Sequence, residues 1–182
     1  VSIRSLVFLF EKKNRFLDQQ AKYVFLIGYL IIPIIIFTKI PFISNSYHPE
    51  IIIAILILIW TNDTFAYLVG ISMGKTKLFE RISPKKTIEG FSGGLVFAMI
   101  AGVLLAQFYL QEAIISWIVI ALLVTTFGTL GDLIESKFKR LAGVKDSGNI
   151  MPGHGGFLDR LDSIIFVAPF VYLFYQIIYY VS

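Results

Sequence analysis

The chain has 182 residues, of which 57% are hydrophobic and only 15% charged, with a formal net charge of +4 and a mean hydropathy of +0.78. A soluble domain of this size is about half apolar and about a quarter charged, so the composition argues against a water-soluble globule. Cysteine is absent, which excludes disulfides and thiolate-held metals.

In chain order, residues 1–22 carry Arg4, Lys12, Lys13, Arg15 and Lys22, a basic cluster of the kind that anchors membrane topology. Ser5–Phe10 is too short for the apolar core of a signal peptide. The chain opens on Val1, which leads us to expect a further N-terminal portion. A charge-poor run follows over 23–43, with Lys22 and Lys39 placed to snorkel at its ends and Pro33 placed to kink it. Further runs cover 51–74, 91–111, 113–131 and 163–181. A span needs roughly 17–25 residues to cross about 30 Å of hydrocarbon. The sequence therefore predicts an all-α, polytopic bundle of five transmembrane helices forming one integral-membrane domain over 1–182, with polar loops at 75–90 and 132–162.

Alternating the loops across the membrane puts fifteen of the sixteen Lys and Arg residues on one side, with only Lys39 opposite. The positive-inside bias makes that side cytoplasmic. It also puts the loops at 75–90 and 132–162 there.

Three constellations stand out. In the second span, Asn62 and Asp63 interrupt an apolar helix, with Tyr67 one turn on. A carboxylate there is either a ligand or metal site or a helix-to-helix link, because an unpartnered one is costly. Next, ISPKKTIEGFSGG (82–94) brings Ser83, Lys85, Lys86 and Thr87 to the entry of the third span. Ammonium groups beside helix N–H donors bind anions; a substrate phosphate and a lipid headgroup use the same physics. The glycines 90, 93 and 94 read as helix-packing residues.

The third constellation runs from 128 to 163. Asp132, Glu135 and Ser136 share a helical face, Lys139 and Arg140 follow, and Asp159 and Asp162 sit three apart at the start of the last span. With Asp63, these acids are able to converge on a hard cation such as Mg²⁺, which takes oxygen ligands and substrate phosphates. His154 reads as a base, a phosphate donor or a loop hydrogen-bonding residue. No nucleotide P-loop, acyl-transfer order or zinc set occurs. Acids at membrane helix ends beside basic loops point to phosphoryl or nucleotidyl transfer on a lipid. A CTP-dependent polyprenol or lipid kinase, and an ion or proton transporter, are the other classes to weigh.

SKFKRLAGVKDSGNIMPGHGGFLDRLD (136–162) closely resembles the signature of the phosphatidate cytidylyltransferase (CDP-diacylglycerol synthase) family. The matching positions are Ser136, Lys139-Arg140, Lys145-Asp146, His154-Gly155-Gly156 and Asp159-Arg160-x-Asp162. NDTFAYLVG and SPKKTIEGFSGG also look like family segments, so the likeness runs from about residue 55 to the end. The resemblance implies an enzyme that joins CTP and phosphatidate into CDP-diacylglycerol, releasing pyrophosphate, for phospholipid biosynthesis. It implies a Mg²⁺ centre with a second, monovalent cation beside it, held first by Asp132 and Asp159 and next by Asp63 and Asp162. It gives Lys85, Lys86, Lys139, Arg140, Lys145 and Arg160 to phosphates, with Ser136, Asp146 and His154 also in the site. It further implies a homodimer in the bilayer, in the inner membrane of a bacterium, with its active site facing the cytoplasm and no nucleic-acid partner.

Overall fold

The computed structural model describes residues 2–10, 19–42, 46–144, 147–148, 156 and 158–181. A short helix α1 (Ser2–Phe10) precedes the first span, which is assembled from α2 (Gln19–Phe25), a π-helical turn (Leu26–Ile31), α3 (Ile32–Lys39) and a 3₁₀ turn (Ile40–Phe42). Pro33, which lacks an N–H, falls at the start of α3 directly after the π turn. The expected break in this span thus takes the form of a π-helical segment, a recognised source of kinks. Next come α4 (Pro49–Met73), strands β1 (Lys77–Phe79) and β2 (Ser83–Thr87), α5 (Ile88–Leu104) with a π-helical continuation (Leu105–Leu110), α6 (Ile114–Leu141) and α7 (Asp162–Val181).

Among the described residues, four helices are long and apolar enough to cross a membrane: Tyr23–Phe42, Pro49–Met73, Ile88–Leu110 and Ile114–Leu141. The fifth expected span is corrected. Among the described residues the stretch of α7 that counts toward a span is Asp162–Ile178, shorter than the other four, although the helix itself runs to Val181. Its first half is packed inside, with Ile165, Phe166, Val167, Ala168 and Val171 all at most 2% exposed, whereas Leu173 and Ile177 further on are 56% and 54% exposed. The all-α reading also needs a small amendment. Within the loop expected at 75–90, β1 and β2 pair antiparallel as a two-stranded hairpin, Lys77 opposite Thr87 and Phe79 opposite Ser83.

The other expected loop, 132–162, begins ten residues too early, because α6 runs on to Leu141. It ends there in a glycine-dependent cap. Gly143 takes the left-handed φ of 73°, and the N–H groups of Gly143 and Val144 return to the carbonyls of Arg140 and Lys139, the Schellman pattern.

Packing follows from small residues. A Cβ at Gly90 would lie 2.6 Å from the Ala66 carbonyl oxygen, and one at Gly94 2.6 Å from Asn62 Oδ1; α4 and α5 meet where side chains are missing. The main core joins Leu58 and Ile59 of α4 to Trp117, Ile120, Ala121 and Val124 of α6 and Val171 of α7. A second cluster, nearer the polar loops, joins Leu9, Phe25 and Tyr29 to Leu133, Ile134, Ile165 and Phe166. There Lys137, 3% exposed, donates to the carbonyl of Phe8 at the end of α1 and lies 4.3 Å from the centre of the Phe8 ring. A cation at a helix C-terminus answers both the free carbonyls and the helix dipole.

Candidate active site

The hairpin is held at its base. Thr87, the N-cap of α5, accepts the Gly90 N–H at 3.1 Å. The Glu89 carboxylate accepts the backbone N–H groups of Lys75 and Thr76, each at 3.1 Å, and Ile88 N–H donates to the Thr76 carbonyl at 2.9 Å. These bonds close the α4–β1 connection onto the start of α5. The strand lysines therefore project from an anchored backbone.

They project over a cavity of about 570 Å³. Its α4 wall is Asn62, Asp63, Ala66, Tyr67, Gly70 and Ile71; the hairpin supplies Lys77, Leu78, Lys85 and Lys86; α6 supplies Thr129 and Asp132. Asn62, 4% exposed, donates through Nδ2 to Asp63 Oδ1 at 3.2 Å, and its own Oδ1 has no hydrogen-bond partner. The lining thus joins a membrane-helix wall that mixes Ala66, Gly70 and Ile71 with Asn62, Asp63 and Tyr67 to the lysines of the hairpin and to Asp132 of α6.

Asp132 also belongs to a second grouping. One carboxylate oxygen each from Asp132, Glu135 and Asp162 lie within 4.8 Å of one another. Two of these residues lie on consecutive turns of α6, and the third starts α7. Gly131 makes the meeting feasible: a Cβ there would lie 2.7 Å from both the Asp162 carbonyl oxygen and Phe166 Cβ. Ser163 Oγ donates to the Gly128 carbonyl one turn earlier, at 3.4 Å. Lys86 pairs with Asp132, and Lys139 pairs with Glu135 Oε2 at 2.6 Å. Glu135 is 2% exposed, and its Oε1 has no partner. Three clustered carboxylates with a buried acceptor left open suit a hard, oxygen-binding cation.

Asp159 takes a different place. Its Oδ1 receives Lys139 Nζ at 2.5 Å. Its Oδ2 receives the N–H and hydroxyl of Ser147 at 2.9 and 2.8 Å and the N–H of Gly156 at 2.7 Å. Burial raises the carboxyl's pKa, but the Lys139 bond and the Ser147 and Gly156 donors outweigh it and hold the group well below the usual carboxylate range. Gly156 is needed for this: a Cβ there would come within 2.7 Å of the Gly148 nitrogen. Lys139 thereby bridges the acidic trio to Asp159.

The remaining predicted residues fall as follows. Asp63, Lys85, Lys86, Thr87 and Asn62 line the cavity with Asp132, although the Thr87 hydroxyl is engaged as a helix cap. Ser136 donates to Asp132 Oδ1 at 3.2 Å. Ser83 starts β2 opposite Phe79, away from the cavity lining. Arg140 is exposed in the last turn of α6. Lys145, Asp146, His154 and Gly155, and the side chain of Arg160, lie outside what the structure describes. The sequence places Glu135 on the face of Asp132 among the acids able to converge on a cation, although the ligand set implied by the resemblance omits it, and it does not single out Gly131 or Glu89. For Gly131 the signal is present in GTLGD, 128–132: two glycines three apart, the second directly before an acid.

The model of the Cytidylyltransferase family matches residues 1–178. The chain belongs to that family. It is 53% identical over 119 residues to a phosphatidate cytidylyltransferase of Bacillus subtilis, covering 64% of this chain and 44% of the relative. It is 45% identical over 161 residues to one of Staphylococcus aureus, covering 86% and 60%. The Staphylococcus haemolyticus relative is 42% identical over 160 residues. The chain thus spans about half the length of the curated relatives it matches. As a family member with four helices long and apolar enough to span, it is an integral membrane protein.

Proposed function

We propose that this chain carries the reacting centre of a phosphatidate cytidylyltransferase, which makes CDP-diacylglycerol and pyrophosphate from CTP and phosphatidate. The observation that carries this reading is the two-sided cavity. Tyr67 and Ile71 of a membrane helix form one wall, Lys77, Lys85 and Lys86 form another, and Asp132 stands between them. A lipid phosphate and a nucleotide triphosphate need such a boundary to meet. Family membership and the names of the relatives support the same reading.

The nucleophile is an oxygen of the phosphatidate phosphate, which attacks the α-phosphorus of CTP while the bond to the β-phosphate oxygen breaks. A phosphomonoester carries about −1.5 to −2 charge at neutral pH, so it arrives as an anion and needs no protein base. The obstacle is repulsion between two polyanions, and the protein's task is positioning and neutralisation. Lys85, Lys86 and Lys77 hold phosphates from the hairpin and Arg140 from the end of α6, Lys145 and Arg160 complete the basic set, and Lys139 stays between Glu135 and Asp159. Asp132, Glu135 and Asp162 would hold Mg²⁺, with Asp63 on the facing helix. Magnesium bound there would neutralise charge on the reacting phosphates. Asp159 holds Ser147 and Gly156 against Lys139, shaping the glycine-rich side of the site. The number of acids leaves room for the second, monovalent cation of the family pattern. The site faces the cytoplasm of a bacterial inner membrane, as the one-sided distribution of basic residues supports.

The test is synthesis of CDP-lipid from phosphatidate, labelled CTP and magnesium by the purified protein. CDP-diacylglycerol is the expected product. Phosphorylation of a lipid alcohol instead, or ion flux without either product, would sink the reading. Glu135→Gln separates the ligand assignment: it is expected to lower Mn²⁺ affinity by about tenfold or more, as losing a charged ligand does. Unchanged affinity would remove Glu135 from the cation site.

A further inference from the structure

We infer that Lys86 is an exchangeable counter-ion: it neutralises Asp132 until a divalent cation binds there, then turns to the phosphates of the nucleotide, so that cation and nucleotide binding are coupled. This rests on the function proposed above. Lys86 pairs with Asp132, and both side chains are partly open, 27% and 32% exposed, at the wall of the same cavity. The other oxygen of Asp132 accepts the Ser136 hydroxyl at 3.2 Å. An ammonium group and a divalent cation compete for the same carboxylate charge, and each repels the other.

The exchange needs no lid motion. Thr87 caps α5 at 3.1 Å and Glu89 ties Lys75 and Thr76, so the backbone beside Lys86 is anchored and only its flexible side chain moves. Lys139 cannot play this part. It is held by two carboxylates at once, Glu135 at 2.6 Å and Asp159 at 2.5 Å, and its side chain is 16% exposed. The two ammonium groups are thus sorted by their surroundings, one fixed and one free to exchange. Coupling of this kind is reciprocal: a nucleotide that draws Lys86 away tightens the cation, and the cation frees Lys86 for the nucleotide.

Two measurements on the whole chain in detergent test this. The first is Mn²⁺ affinity without nucleotide, read by electron paramagnetic resonance. An adjacent opposite charge is worth about one to three pKa units to a carboxyl, so Lys86→Met is expected to bind Mn²⁺ roughly tenfold tighter, while its KM for CTP rises. Lys86→Arg, which keeps the charge, is expected to bind Mn²⁺ as the parent does. Unchanged or weaker Mn²⁺ binding by folded Lys86→Met overturns the inference and leaves the proposed function standing. The second needs no variant: amine labelling of the parent protein, read residue by residue by mass spectrometry. Labelling of Lys86 is expected to rise on adding Mg²⁺ to EDTA-treated protein while Lys139 stays protected. Constant or falling Lys86 labelling overturns the inference. A parent protein that binds no Mn²⁺ overturns this inference and the proposed cation site together.

Discussion

Asp159 accepts Lys139 on one oxygen and three donors from Ser147 and Gly156 on the other. A carboxylate so fully engaged acts first as a structural anchor for the segment leading into α7. Its depressed pKa sets the sign of its pH dependence. A group whose folded pKa is lowered adds stability that is complete above its unfolded value, about 4 for a carboxyl. That stability drains away as pH falls through the folded value. The loss of melting temperature caused by Asp159→Asn is therefore expected to be constant from pH 8 to 5 and to shrink in more acid solution. A penalty that instead shrank between pH 8 and 6 would contradict this placement. Asp132 and Asp159 looked equivalent in the sequence, each an acid near a helix end. Their neighbours separate them, since one faces a cavity and two other carboxylates and the other is enclosed by donors.

At the scale of elements, the site depends on how closely α7 can approach α6. That approach is set by Gly131, with Gly128 one turn earlier. Gly131→Val places a branched side chain where even a Cβ would lie 2.7 Å from the Asp162 carbonyl oxygen and Phe166 Cβ. Overpacking of this kind costs about 1–3 kcal/mol. Because Asp162 is displaced with the start of α7, Mn²⁺ affinity is expected to fall by about 10- to 100-fold, the range for losing a supporting contact at a metal site. A variant that melts lower but binds Mn²⁺ normally would show that Gly131 serves packing alone. The hairpin illustrates the converse case. Its lysines were legible as a basic loop, but nothing periodic in SPKKT announces a strand, and its position follows from Glu89 reaching back to Lys75 and Thr76.

At the scale of the whole molecule, only 22–39% of each membrane span's most apolar stretch is buried inside the protein. Lipid or further protein is left to cover the remainder. The charge distribution gives the orientation its test. The chain has no cysteine, so single cysteines are diagnostic. A cysteine in place of Lys77 is expected to react with a membrane-impermeant maleimide only in inside-out vesicles. One in place of Glu112, in the turn between α5 and α6, is expected to react only from the opposite side. The reverse pattern would overturn the cytoplasmic placement of the site.

Composition and the spacing of apolar runs determined a helical membrane protein by themselves, because about 20 consecutive apolar residues have few other stable environments. The clustering of basic residues determined which loops share a side, and the residue pattern of 136–162 carried the family. Only the tertiary structure decided which acids meet. Carboxylates on different helices are brought within ångströms by packing, here through a glycine whose missing side chain lets α7 rest on α6. It also decided that Lys139 is held between two carboxylates while Lys86 pairs with one at the cavity wall. Identical side chains acquire different roles from their neighbours in space, and those neighbours are far apart in the chain.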